Sequence, residues 1–101
     1  MAVKRYPTKQ PYEEYFLTFD FSWVLGSATI LSAAVTAVNN DTASDVTATI
    51  TTVASQIKTN TTVKVWVKAG TTGETYKITV KAVASDGAKY ELDGLLPVRE
   101  L

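Results

Sequence analysis

Thr75-Tyr76-Lys77-Ile78-Thr79-Val80-Lys81-Ala82, a break at Ser85-Asp86-Gly87, and then Ala88-Lys89-Tyr90-Glu91-Leu92 form the most regular pattern in the chain. Apolar Tyr76, Ile78, Val80 and Ala82 alternate with Thr75, Lys77, Thr79 and Lys81, the period of two that marks a half-buried strand. Asp tolerates a turn and Gly takes positive φ without steric cost, so the break reads as the tip of a hairpin. Loop length then sets the register. A two-residue loop at Asp86-Gly87 would put Tyr90 opposite Val83 and Leu92 opposite Lys81, mixing apolar and polar faces. A three-residue loop, with Ser85 and Asp86 in a type I turn and Gly87 left-handed, puts Tyr90 opposite Ala82, Leu92 opposite Val80 and Glu91 opposite Lys81. One face becomes apolar and the other charged.

Working outward, Val63, Val65 and Val67 alternate with Lys64, Trp66 and Lys68 in a second clean strand that ends at Ala69-Gly70-Thr71-Thr72-Gly73. Tyr76 follows Gly73 at the spacing of the tyrosine whose hydroxyl ties back to upstream backbone in an immunoglobulin-like corner. A plain hairpin across residues 70–73, pairing Val67 with Tyr76, is the rival geometry. Residues 28–38 are alanine-rich, but Thr29, Ile30, Val35, Thr36 and Val38 are β-branched and Asn39-Asn40-Asp41 is turn chemistry, so the segment reads as a strand. Its inward set is either Leu31, Ala33, Val35 and Ala37 or Ile30, Ala34 and Val38, and a bulge would satisfy both. Residues 45–52 read as a further strand through Val46, Ala48 and Ile50, with a kink near Val53. Residues 12–21 supply a first strand with Tyr15, Leu17 and Phe19 on one face and Phe16 on the other, and aromatics on both faces predict cover on both. The connection at 22–27 tucks in Leu25, turns at Gly26 and leaves Trp23 partly exposed. About seven short strands and no convincing helix predict an all-β, immunoglobulin- or fibronectin-III-like antiparallel sandwich over residues 12–101. Residues 1–11, with Lys4, Arg5, Lys9 and prolines at 7 and 11, predict an extended arm that buries no core of its own. The arm either frays or orders against a neighbouring subunit, with Lys4, Arg5 and Tyr6 as the contacting residues.

The chain has 101 residues, ten basic against ten acidic, with no Cys and no His. That length supports one core. Balanced charge gives no net field for nucleic acid or an anionic membrane, and neither is expected as a partner. Without thiolate or imidazole, the usual metal ligands and the commonest general base are missing, so no catalytic residue, metal or cofactor is expected. Glu13 with Glu14 and Asp41 with Asp45 are close acid pairs in loop contexts that do not raise a pKa for acid–base work. Lys64, Trp66 and Lys68 share an outward face, which is either a solvated sheet face or a basic-aromatic patch. Trp23 and Trp66 are the candidate contact points for a protein partner.

The run from Tyr15 to Ile30, with Asp20-Phe21-Ser22, Leu25, Gly26 and Thr29-Ile30, followed by Gly73, Tyr76, Ile78, Val80 and Ser85-Asp86-Gly87, resembles the small immunoglobulin-like fibre-tail adaptors of tailed phages and prophages. The resemblance runs from about Tyr12 onward, over the length of the expected sandwich. It implies a structural protein of the virion, assembled in the host cytoplasm, that joins parts of a tail, neck or fibre through other phage proteins, with a homo-oligomer as a further option. No catalytic residues come with it. A binding module of a bacterial adhesin or carbohydrate-active protein is the alternative class, disfavoured by a short chain with no export signal.

Overall fold

The computed structural model describes residues 3–101. The elements in order are β1 (Val3–Arg5), β2 (Tyr15–Asp20), α1 (Ser22–Leu25), β3 (Ile30–Asn39), α2 (Thr47–Ile50), β4 (Thr51–Lys58), β5 (Thr62–Val67), β6 (Thr75–Ala84) and β7 (Lys89–Pro97). They form two facing sheets, one ordered β1-β7-β6-β3 and the other β2-β5-β4. All neighbours pair antiparallel except β1, which runs parallel to β7. This is the immunoglobulin-like sandwich that the alternating segments predict.

The inward rows are those expected from the period of two. Leu17 and Phe19 of β2 and Val63, Val65 and Val67 of β5 face Ile78, Val80 and Leu96 of the other sheet, all buried. Each such side chain contributes about 1.5–3 kcal/mol by leaving water. The hairpin has the three-residue loop. Tyr90 pairs with Ala82, Glu91 with Lys81 and Leu92 with Val80. The Gly87 N–H donates to the Ala84 carbonyl at 3.0 Å, closing the turn, and Gly87 sits at φ +88°. β3 switches between its two possible registers through a bulge between Ile30 and Ser32: Ile30 of one set and then Val35 and Ala37 of the other point inward, while Leu31 and Ala34 are left outside.

β5 and β6 lie in different sheets, so residues 68–74 are an inter-sheet corner and the plain hairpin is excluded. The Tyr76 hydroxyl accepts the Thr71 backbone N–H at 2.9 Å, so the unpaired group in a Tyr76→Phe variant is a backbone donor. Gly70, at φ +102°, has Val98 packed where a Cβ would stand, 2.8 Å from its Cγ2.

Three expectations are corrected. Residues 47–50 form a helical turn, and the strand begins only at Thr51. Asp45 accepts both the backbone N–H and the hydroxyl of Thr47, at 2.9 and 2.7 Å, and this local bonding outcompetes a ladder. The outer side of β2 is open, with Phe16, Thr18 and Asp20 exposed. The largest correction concerns residues 1–11. Met1 and Ala2 lie outside the described residues. From Val3 on, the segment is built into the domain: β1 extends the first sheet, Tyr6 belongs to the core and Lys9 is fully buried. Its polar composition concealed this, because a few long-range bonds hold it rather than an apolar face.

Candidate interaction surfaces

Residues 3–9 form a strap across one edge of the sandwich. The Tyr6 N–H donates to the Leu95 carbonyl at 2.9 Å, and its hydroxyl donates to the Thr18 carbonyl of the opposite sheet at 2.7 Å. Its ring leans on Phe19, centroids 5.4 Å apart, and fills a gap that exists because position 94 is glycine: a Cβ there would stand 2.6 Å from the Tyr6 ring and 3.0 Å from Phe19. Burial pushes the Tyr6 hydroxyl well above its ordinary value of 10.0. Three residues on, the Lys9 N–H donates to the Pro97 carbonyl at 2.9 Å, and its carbonyl accepts the Arg99 N–H at 3.0 Å. The ammonium uses all three donors on carbonyls: Ala69 at 2.6 Å, Gln10 at 2.9 Å and Pro11 at 3.3 Å. Burial lowers the Lys9 pKa, against the pull of Glu13 and Glu14. The Ala69 carbonyl comes from a residue at φ +53°, a left-handed conformation that an alanine adopts at a cost. The strap thus pins the corner loop.

These placements divide the candidate contact residues. Tyr6 is buried in the chain's own core and is not presented to a neighbour. Lys4 and Arg5 are exposed on β1, with the Lys4 ammonium 5.0 Å over the Tyr6 ring. Trp23 is 65% exposed on α1. It lines one groove with Val3, Lys4, Asp20, Leu92 and Asp93, and a second with Val24 and Tyr90. The fold therefore brings Lys4, Tyr6 and Trp23 together and leaves Trp66 apart. Trp66 stands on the outer face of the second sheet, edge-on to Phe16 with centroids 4.9 Å apart, and its indole N–H donates to Glu14 at 3.3 Å. It is half-buried, so the free aromatic expected between Lys64 and Lys68 is already partnered within the chain.

The acid pairs are taken up locally. Glu13 accepts the Gln10 N–H at 2.7 Å. Asp45, like Asp20 before α1, is held below the usual carboxylate range first by a backbone N–H two residues on and then by a side-chain hydroxyl. Among the described residues no group of three or more acidic side chains is placed to hold a metal ion, and no helix is long and apolar enough to cross a membrane.

Lys9 and Gly94 were missed by the sequence reading. Lys9 carries no local signal. Gly94 does carry one: it interrupts the buried row Leu92, Leu96 and Val98, and a glycine inside a strand marks a close approach.

Residues 9–97 match the family model described as Podophage GP4 fiber-tail adaptor protein gp77, which spans the strap's Lys9 through the end of β7. No curated protein matches the chain significantly.

Proposed function

The chain belongs to the podophage GP4 fiber-tail adaptor protein gp77 family and so to the structural adaptors of the phage tail; on that premise we propose that it is non-enzymatic and works entirely through protein–protein contacts in the virion. The observation that carries this reading is the extent of the match, which takes in every strand from β2 to β7. The contact surface is the one around Trp23. A large, exposed aromatic on a short rigid turn, beside the apolar Val3 and Leu92 and rimmed by Lys4, Asp20 and Asp93, has the make-up of an interface hot spot. α1 holds it firmly: Leu25 is buried beneath it, and the Val24 and Leu25 N–H groups donate to the Phe21 carbonyl at 3.1 and 3.2 Å. The occupant is another protein of the tail or fibre. Trp66 plays no part in this contact.

The test is incorporation. Mass spectrometry of purified virions should find the chain at a fixed number of copies per particle. Trp23→Ala should reduce incorporation about tenfold or more, the scale of a hot-spot residue, with an unchanged melting temperature. Virions that lack the wild-type chain would overturn the adaptor reading, and full incorporation of Trp23→Ala would move the interface elsewhere.

A further inference from the structure

We propose that the strap of residues 3–9 is exchangeable, so that the socket on β7 takes the strap of a second copy and each chain closes its neighbour's sandwich. The occupant is defined by the socket itself. It consists of the β7 edge at Asp93, Gly94 and Leu95, the gap above Gly94, the Thr18 carbonyl and the Ala69 carbonyl. Its chemistry calls for a short parallel strand, then an aromatic ring carrying a hydroxyl, then a cation three residues later. Val3–Arg5, Tyr6 and Lys9 supply that order, and the same segment of another copy supplies it equally.

Two features make exchange accessible. First, the bonds that hold the strap join residues 3–9 to the body between residues 18 and 99: the β1–β7 ladder, Tyr6 to Leu95 and Thr18, Lys9 to Pro97 and Ala69, and Arg99 to Lys9. All of them are reproduced when the strap comes from a neighbour, which is the condition for exchange at low cost. Second, the link between strap and body is slight. Residues 10–13 form a turn closed by the Glu13 N–H on the Gln10 carbonyl at 3.0 Å, the Gln10 N–H on the Glu13 carboxylate at 2.7 Å, and the Lys9 ammonium on the Gln10 and Pro11 carbonyls. These bonds belong to the closed form. Tyr12, at the tip, is 94% exposed, and Glu13 and Glu14 are exposed beside it. Opening this turn and extending residues 10–14 gives a reach of about 17 Å, so the donating copy must lie directly alongside. A tethered segment of this kind has an effective concentration in the millimolar range. Exchange therefore competes only where copies are crowded to a comparable concentration. The inference concerns the chain's contacts with itself and stands apart from the adaptor reading.

The chain has no Cys, which makes the test direct. One preparation carries Arg5→Cys and a second carries Leu95→Cys, positions that face each other across the β1–β7 ladder. The two are mixed at about 1 mM, the concentration at which exchange competes, warmed below the melting temperature, cooled, oxidised and run on a non-reducing gel. Exchange predicts a mixed disulfide dimer several-fold above the dimers that either preparation forms alone. It also predicts that the mixed dimer falls back to those controls when the Arg5→Cys chain also carries Tyr6→Ser. A mixed dimer no more abundant than the controls, or one indifferent to Tyr6→Ser, would overturn the proposal. As an independent reading, the mass of the wild-type chain after the same treatment should shift partly to a dimer that dissociates slowly on dilution. A wild-type chain that stays monomeric at every concentration would contradict exchange even if the cysteine variants folded poorly.

Discussion

The β6–β7 hairpin and the strap sit on opposite edges of the same strand, β7, and are held in opposite ways. Across the hairpin, nine residue pairs run from Thr75 and Pro97 to Val83 and Lys89, with a buried row of Tyr76, Ile78, Val80 and Ala82 behind them. Across the strap there are three pairs, the β1 side chains in them all exposed, and the anchoring falls to Tyr6 and Lys9 further along. Loss of one pair in a long ladder is local. Loss of one anchor in the strap frees a whole segment. Distributed burial therefore gives an edge that tolerates change, and point anchoring gives one that can be released.

Gly94→Val strikes the strap at its first anchor. The added side chain meets the Tyr6 and Phe19 rings at once, and overpacking of this kind costs about 3 kcal/mol. Chemical denaturation of the variant should show that loss, and an unchanged midpoint would mean that the ring does not occupy the gap. Next is Lys9→Met, which keeps the aliphatic stem but leaves the Ala69 and Pro11 carbonyls without their donor. It should cost about 2 kcal/mol and raise protease cleavage within residues 10–14. On the hairpin side, Gly87→Val places a β-branched residue at φ +88° and should cost about 1.5 kcal/mol, with Gly87→Asn costing less. Cleavage near residue 87 should not rise, since the ladder on either side persists.

The smallest effect is a pH dependence. In the unfolded chain Tyr6 loses its proton near 10.0, while in the folded chain burial holds it on to higher pH. Above that point the folded state binds more protons, so stability falls as pH rises, by at most about 1.4 kcal/mol per unit. Tyr15, raised by burial and then by Glu13, adds in the same sense. Lys9, lowered by burial, acts in the other direction below its ordinary 10.5. Urea midpoints at pH 9 and 11 should show a smaller drop for Tyr6→Phe than for wild type, and equal drops would contradict the burial of the hydroxyl.

How far the fold could be read in advance follows from the same contrast. The hairpin was legible to the residue because face alternation and a left-handed glycine admit one register. The Ile30 bulge could be foreseen from apolar residues on both parities, and the corner was narrowed to two geometries by the spacing of Gly73 and Tyr76. Residues 45–52 misled because Val46, Ala48 and Ile50 alternate as a strand would, while the deciding contact is Asp45 with Thr47. The strap was illegible because Lys9 is buried by three carbonyls, one of them 60 residues away in sequence. Of the candidate surface, Trp23 was visible as an aromatic in a turn; its proximity to Lys4 and Val3 depended on the strap and was not.

Residues 3–9 are an integral part of the sandwich, held at Tyr6 and Lys9. Residue-resolved amide hydrogen exchange tests this without altering the chain. The Tyr6 and Lys9 amides, bonded to the Leu95 and Pro97 carbonyls, should exchange orders of magnitude more slowly than the exposed Tyr12 amide and within reach of the β6–β7 ladder. Exchange of Tyr6 and Lys9 at the rate of an unstructured peptide would show a free arm and contradict the account.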